Sequence, residues 1–333
     1  MNKGKTEKKT RRPTSLHLVL PATSANLGPA FDAAALAMNL FMTIDARPAA
    51  SFSIAATGRD EDICGAVKNH LILATYTDIL QGHGLEVMPL TLRIKNDIPI
   101  GKGCGSSAAA RLAGIALANH FGHLRWTAPQ IIGEASRREK HSDNASACWM
   151  GGLTVARMSG ESMSGESMSG ESMSGETQAQ VVPIRPKGKW PLLLAVPDEA
   201  LSTEKARRVL PEQYSRADAV ANIQNSMLLL AAFTQGRHNL LTAALQDRIH
   251  QPYRAPFCPL LPALQELTGK PGVLGAALSG AGPSVIVFLD PRSSAGKTRN
   301  AVAAHLAGTG LGAELLLTSI SPRGARLSRG KPH

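Results

Sequence analysis

Three glycines and two serines crowd into Pro99-Ile-Gly-Lys-Gly-Cys-Gly-Ser-Ser-Ala-Ala-Ala110, and they open a run of helix formers directly after an alternating stretch. Leu90, Leu92 and Ile94 alternate with Thr91, Arg93 and Lys95 as in a half-buried strand. Asn96-Asp97 turns the chain, and Ser106 or Ser107 is placed to cap a helix running through Leu117. Glycines at 101, 103 and 105 remove the Cβ atoms that would hold a backbone away from a ligand or out of positive φ. The N–H groups of such a loop and of the first helical turn can point at an anion, aided by the positive end of the helix dipole. The chemistry this permits is phosphate binding.

This loop is not the usual P-loop, because no Gly-Lys-Ser or Gly-Lys-Thr closes it. Nor is it a dinucleotide fingerprint, because Ser106 stands where the third glycine belongs. A strand-to-helix turn that binds nothing is the remaining reading of the loop taken alone.

Two more glycine-bearing blocks flank it: Pro21-Ala-Thr-Ser-Ala-Asn-Leu-Gly-Pro-Ala-Phe-Asp32 and Leu278-Ser-Gly-Ala-Gly-Pro-Ser284. In this order, the three segments resemble the ordered motifs of the GHMP small-molecule kinases. The first is most similar to that of the homoserine kinases. His141-Ser-Asp-Asn144 followed by Gly151-Gly152, and Ser202-Thr-Glu-Lys-Ala-Arg-Arg-Val-Leu-Pro211, support the narrower resemblance. It runs from about Leu16 to about Ile320, leaving out one insertion and both tails.

The resemblance implies ATP- and Mg²⁺-dependent phosphorylation of the side-chain hydroxyl of L-homoserine, a step toward threonine. ATP would be held by Asn69 and by the loop Pro99, Gly101, Lys102, Gly103, Cys104, Gly105, Ser106 and Ser107, mostly through backbone N–H groups. Ser106 or Ser107 would reach the metal together with Glu134, which lies on the helix where homoserine kinases place such a carboxylate. The spacing from that helix to His141 is one residue short, so Glu139 is an alternative, and a solvated helix face paired with Arg137 or Arg138 is the bland reading of either. Arg207 and Arg254 would clamp the substrate carboxylate, a task suited to the planar fork of arginine. Asn26 and Asp32 would take the ammonium and hydroxyl side, with Thr203, His141 and Gly280 lining the pocket. Asp32, Asp143 and Asn144 are the candidates nearest the chemistry, and Asp143 reads either as a proton acceptor or, with Asn144, as a positioning group.

Some positions depart from the family pattern. Ala30 replaces a glycine, Cys104 a leucine, Ala33-Ala-Ala-Leu a Ser-Leu-Gly-Leu, and Trp149 is bulky where a smaller apolar residue is common. They bear on the acceptor more than on phosphoryl transfer. A kinase for another small alcohol such as mevalonate, and a nucleotide sensor without turnover, are the competing functions.

The elements around these motifs alternate as an α+β enzyme requires. Strands are expected at 16–20, 41–46, 51–56, 90–95, 192–196, 273–277, 284–289 and 314–319. Helices are expected at 69–80, 108–119, 131–139, 217–233, 239–247 and 293–307, with Thr127 and Gln130 forming a capping box. The resemblance implies a ribosomal S5 domain 2-like N-terminal domain over 16–187 and a ferredoxin-like C-terminal domain over 188–320, with the active site between them.

The 333 residues, 43% of them hydrophobic, can bury a substantial core. No apolar run approaches the ~20 residues needed to span a bilayer, and the basic first fifteen residues lack a secretory apolar stretch, so a cytoplasmic location is expected. Cys64, Cys104, Cys148 and Cys258 are scattered without metal or disulfide spacing and read as reduced thiols. Nine of the eleven net positive charges fall on the tails 1–15 and 321–333, which read as disordered. With 4% aromatic residues and no nucleic-acid module, nucleic acid is not the expected partner. Met-Ser-Gly-Glu-Ser repeats through 158–177 at a period of five, which suits neither helix nor strand and reads as a disordered expansion. It separates Leu153–Arg157 from Gln178–Val182, which would pair as a hairpin without it. The oligomeric state is left open, a homodimer among the options.

Overall fold

The computed structural model describes residues 15–158 and 179–329. Most of the N-terminal tail and of the repeat, and the last four residues, lie outside the described residues.

Strands β1 (Leu16–Asn26), β2 (Ala30–Pro48), β3 (Ser53–Gly58), β4 (Leu90–Asn96), β5 (Leu153–Met158), β6 (Ala179–Ile184) and β11 (Arg326–Arg329) build one sheet. Its main path is β11-β1-β2-β4-β3, and β5 joins through β2 and carries β6. Leu90, Leu92, Ile94 and Asn96 are buried at every second position of β4, the period expected of a strand with one covered face. The covering helices are α2 (Leu71–Gly82), α3 (Ser106–Phe121), α4 (Ala128–Glu139) and α5 (Asp143–Met150), after a short α1 (Glu61–Gly65). Ala108, Ala109, Ala113 and Ala116 are all buried on α3. A methyl at Gly114 would lie 2.6 Å from Ile72 O and from Thr75 Cβ, so α2 and α3 approach closely enough to require glycine there.

A second sheet contains β7 (Pro191–Val196), β8 (Val273–Leu278), β9 (Val285–Leu289) and β10 (Glu314–Ser319) in the order β10-β7-β9-β8. The long helices α7 (Arg216–Gln235) and α11 (Ala295–Gly308) fall between its first and second and its third and fourth strands, which is the β-α-β-β-α-β ferredoxin-like arrangement. Short helices α6 (Thr203–Arg208), α8 (Leu241–Ala244), α9 (Gln251–Arg254) and α10 (Leu260–Gln265) fill the connections. One apolar core runs across both sheets, from Leu18 and Ile44 to Leu194 and Phe288, and a second covers the far face of the smaller sheet around Val287, Leu264 and Val302.

Several elements differ from expectation. The helix expected over 239–247 is a 3₁₀ turn at 238–240 followed by the single turn of α8, because Asp247 turns inward to accept the N–H groups of Ile249, His250 and Gln251. Helix α5 has only eight residues, too short for a hydrophobic period to reveal. Residues 326–329, assigned to a basic tail by charge, pair with β1 from Leu16↔Arg329 to Val19↔Arg326. Ala325 N–H donates to Trp149 O at 3.1 Å just before this strand. Main-chain pairing at a sheet edge needs no apolar side chains, so composition could not disclose it.

Beside the repeat, β5 and β6 are antiparallel, with Met158 opposite Ala179 and Leu153 opposite Ile184.

Candidate active site

Gly101, Gly103 and Gly105 adopt φ of 70°, 79° and 71°, the left-handed region open to glycine. A Cβ at Gly103 would collide with Ser279 O, and one at Gly105 with Thr23 Oγ1. The loop is therefore clamped on two sides. From the smaller sheet, Ser279 Oγ donates to Gly103 O at 2.8 Å and Ser284 N–H donates to Lys102 O at 3.3 Å. From β1, Thr23 N–H donates to Cys104 O at 3.0 Å, while Thr23 Oγ1 donates to Asn144 Oδ1 at 2.6 Å.

Helix α3 starts at Ser106 with Gly105 in the N-cap position and no side-chain cap. The serines expected to cap it do other things. Ser106 Oγ stands 3.5 Å from Gly101 N, and Ser107 Oγ donates to Glu139 Oε1 at 2.7 Å. The first-turn N–H groups of a sixteen-residue helix are thus left without a side-chain acceptor beside the glycine loop, the arrangement that suits an anion. Gly101, Gly103, Gly105, Ser106, Ser107 and Glu139 line one cavity of about 120 Å³.

Across the same cavity lie Asn26, Asp32, His141, Asp143, Asn144, Arg207, Arg254 and Gly280. Asp32 has φ 52° at the start of β2, and its carboxylate accepts from Arg207 Nη1 at 3.0 Å and Nη2 at 2.7 Å. Burial alone would lower the pKa of Arg207, but the hydrogen bonds and charge of Asp32 outweigh it and raise it. Arg254 is 1% exposed, the largest fully buried side chain among the described residues. Its Nε donates to Ala206 O at 2.9 Å, and burial followed by repulsion from Arg207 brings its pKa down to about 10, so it stays cationic at neutral pH. The Phe31 ring supports both cations, with Arg207 Cζ 5.5 Å and Arg254 Cζ 5.2 Å from its centroid.

His141 Nδ1 lies 2.7 Å from Asp143 Oδ1. Burial would lower the pKa of this imidazole, but the hydrogen bond and charge of Asp143, reinforced by Asp32, raise it above the ordinary value. The same Asp143 oxygen accepts the Asn144 N–H at 2.6 Å. Asn26 spends its amide on the backbone: Nδ2 donates to Gly280 O at 2.8 Å and Oδ1 accepts Asp32 N–H at 2.9 Å. It ties the first motif to the third.

An uncapped helix start wrapped in three left-handed glycines, facing two arginines and a carboxylate across one hollow, suits a phosphate on one side and a charged small molecule on the other. Comparison with known proteins agrees. The GHMP kinases N terminal domain matches residues 70–152, and the GHMP kinases C terminal domain matches 229–308. The homoserine kinase of Solibacter usitatus is 42% identical over 274 residues, spanning 82% of this chain and 85% of that protein. The chain belongs to the homoserine kinase family. Among solved structures, the homoserine kinase of Cytophaga hutchinsonii shares the fold at a TM-score of 0.75 and 21% identity, over 98% of this chain and 100% of that one. The Streptococcus pneumoniae phosphomevalonate kinase in complex with phosphomevalonate and AMPPNP shares it at 0.62 and 15% identity, over 92% and 99%.

Within this homoserine kinase framework, some expected site residues face elsewhere. The Glu134 carboxylate is held by Arg137 Nη2 at 2.9 Å and Arg138 Nε at 2.6 Å, and it does not line the cavity. Glu139 does, paired with Arg111 and Ser107. Lys102 turns its ammonium to Asp198 O, and Cys104 is fully buried with its thiol toward Lys102 O and Ser284 Oγ. Burial pushes that thiol up to about 12, and neither residue lines the cavity. Pro99 is buried behind the loop, and Asn69, exposed with φ 59°, precedes α2 outside the cavity. Thr203 opens α6, and its side chain lies outside the described residues.

The family departures are accommodated. Positive φ falls on Asn26, Leu27, Gly28 and Asp32 but not on Ala30, which pairs with Asn26 in the sheet. Trp149 packs at the apolar core and does not line the cavity. Sequence reading did not single out Thr23, Phe31, Ser279 or His250. Thr23, Phe31 and Ser279 lie within quoted motifs and His250 lies four residues before Arg254, but the role of each depends on partners far away in the chain.

Proposed function

We propose that the protein transfers the γ-phosphoryl group of ATP to the side-chain hydroxyl of L-homoserine, giving O-phospho-L-homoserine. The observation that carries this reading is the single cavity in which Arg207, Arg254 and Asp32 stand opposite the Gly101–Ser107 loop. The backbone N–H groups of the loop and of the first turn of α3 receive the phosphates. Arg254, anchored through Nε with part of its fork remaining, and Arg207 receive the amino-acid carboxylate, and Asp32 receives the ammonium. Asp32 and Arg207 satisfy each other across the cavity, so a bound zwitterion would replace one internal pair by two. Both charges of homoserine are matched, which favours an amino acid over mevalonate.

The donor set at Ser106, Ser107 and Glu139 consists of hard oxygens with one carboxylate, a chemistry that would suit a magnesium ion. Mg²⁺ bound there supplies positive charge against the oxygens of the migrating group. Asn144, fixed by Thr23 and by the Asp143 carboxylate, and His141, fixed by Asp143, hold the acceptor end of the substrate in line. Asp143 spends its Oδ1 on this positioning, and no committed general base is assigned.

Among the described residues no helix is long and apolar enough to cross a membrane. A coupled ADP-release assay with homoserine, mevalonate, threonine or no acceptor tests the proposal. Homoserine-dependent ADP formation is expected. If no acceptor stimulates ADP release while ATP still raises the Tm, the protein is a nucleotide sensor and the proposal fails.

A further inference from the structure

Beneath the acceptor side of the cavity, His250 joins two parts of the site that no local sequence links. His250 is fully buried one turn before Arg254, and Arg254 Nη1 lies 3.1 Å from its Nδ1. Its other nitrogen, Nε2, lies 2.8 Å from Gly28 O in the loop that delivers Phe31 and Asp32. Phe31 stacks on its ring with centroids 5.2 Å apart at 28°.

The protonation state follows from the partners. Guanidinium has only donors, so Nδ1 must accept; Gly28 O has only lone pairs, so Nε2 must carry the hydrogen. The ring is then a neutral Nε2–H tautomer. Its environment agrees: burial first, then the charge of Arg254, outweighs the attraction of Asp247 and Asp32 and lowers its pKa well below the ordinary value. Asp247, whose side chain is buried, fixes the backbone here by accepting the N–H groups of Ile249 at 2.9 Å, His250 at 2.9 Å and Gln251 at 2.6 Å. Asn222 Nδ2 and Ser226 Oγ hold the neighbouring Pro29 O at 2.7 and 2.8 Å, so the loop that His250 grips is itself rigid.

We infer that His250 is a positioning residue for substrate selection: as a neutral acceptor it aims the Arg254 guanidinium at the carboxylate of the acceptor molecule, in register with Asp32 on the loop it holds. This rests on the assignment of Arg254 to that carboxylate. Ala206 O and His250 Nδ1 together fix two of the three guanidinium nitrogens, which leaves a defined edge of the fork for the ligand. Without His250 the cation remains, but its aim is lost. Substrates with a carboxylate should suffer, and those without one should not.

The test compares homoserine with 3-aminopropan-1-ol, which is homoserine with hydrogen in place of the carboxylate. The KM for homoserine and the inhibition constant of 3-aminopropan-1-ol as its competitor are measured for wild type, His250→Gln, His250→Phe and Arg254→Ala. His250→Gln should raise the homoserine KM about tenfold or more, the scale of a lost hydrogen bond to a charged group, and shift its ratio to the competitor constant by the same factor. His250→Phe, which keeps only the stack on Phe31, should do the same. Equal loss for both molecules, or a lower Tm with an unchanged ratio, overturns the inference and makes His250 a packing residue. An unchanged ratio in Arg254→Ala instead overturns the carboxylate assignment itself. Imidazole ¹⁵N NMR of the wild-type protein at neutral pH needs no variant to fold: an Nε2–H tautomer is expected, and an Nδ1–H tautomer or an imidazolium overturns the inference.

Discussion

The hydroxyl of Ser107 donates to Oε1 of Glu139 across 2.7 Å, so the first turn of α3 and the last turn of α4 meet beside the glycine loop. Glu134, five residues earlier on the same helix, is turned away onto Arg137 and Arg138. Glu139→Gln should therefore raise the Mg²⁺ concentration needed for half-maximal activity by on the order of 10–100-fold, the range seen when groups that orient a metal are altered. Glu134→Gln removes the ion pairs with Arg137 and Arg138, away from the cavity, and should leave that concentration within about twofold. Mg²⁺ titrations of the two variants check this, and the reverse ranking would return the metal to Glu134.

Glycine is required more strictly at 105 than at 101. Both have positive φ, which costs a non-glycine residue roughly 1–3 kcal/mol. At Gly105 a Cβ would also run into Thr23 Oγ1 and stand 3.2 Å from Asn144 Oδ1, whereas at Gly101 it would meet only the Ala200 Cβ at 3.6 Å. Gly105→Ala should abolish both turnover and the rise in Tm on adding ATP, and Gly101→Ala should retain part of each. Thermal-shift titration with ATP reads the difference directly, and equal behaviour would mean that the Thr23–Asn144 contact yields.

The imidazole of His141 has its pKa raised above the ordinary histidine value in the folded chain, because Asp143 and Asp32 overcome the effect of burial. A raised pKa means that the charged pair stabilises the fold fully below the unfolded value and is lost as pH rises through the folded one. His141→Gln should accordingly lower the Tm more at about pH 5.5 than at about pH 9. A Tm difference between variant and wild type that is constant across this window would show that the pair is not charged.

Met158 and Ala179 face each other at the end of the β5–β6 ladder. Two strands in that register can be closed by a two-residue turn. Replacing 159–178 with Asn-Gly should leave kcat and the homoserine KM within about twofold, because loop-closure free energy changes slowly with loop length. A collapse of activity with an unchanged Tm would give the repeat a catalytic role.

Much of the fold and the centre of the site were legible in the residues alone, since their signals are local. The alternation of Leu90, Leu92 and Ile94 marks β4, the glycines at 101, 103 and 105 mark a backbone that must take positive φ, and the apolar stretches bounding the repeat mark β5 and β6. These properties follow from the preferences of a few neighbouring residues and hold wherever the segment is placed.

What only the tertiary structure decided are relations between segments. Glu134 and Glu139 lie about 140° apart around one helix by its 3.6-residue turn, so the packing of α4 against α3 alone selects which carboxylate meets Ser107. The pairing of Arg326–Arg329 with β1 depends on an open sheet edge hundreds of residues away in the chain. Asn26 is committed to Gly280 across 254 positions, and His250 to Gly28 across 222. The amino-acid sequence determined which groups could bind a phosphate and an amino acid; long-range packing and hydrogen bonding determined which of them face the same cavity, because burial forces each polar group to take the partner that the fold brings within reach.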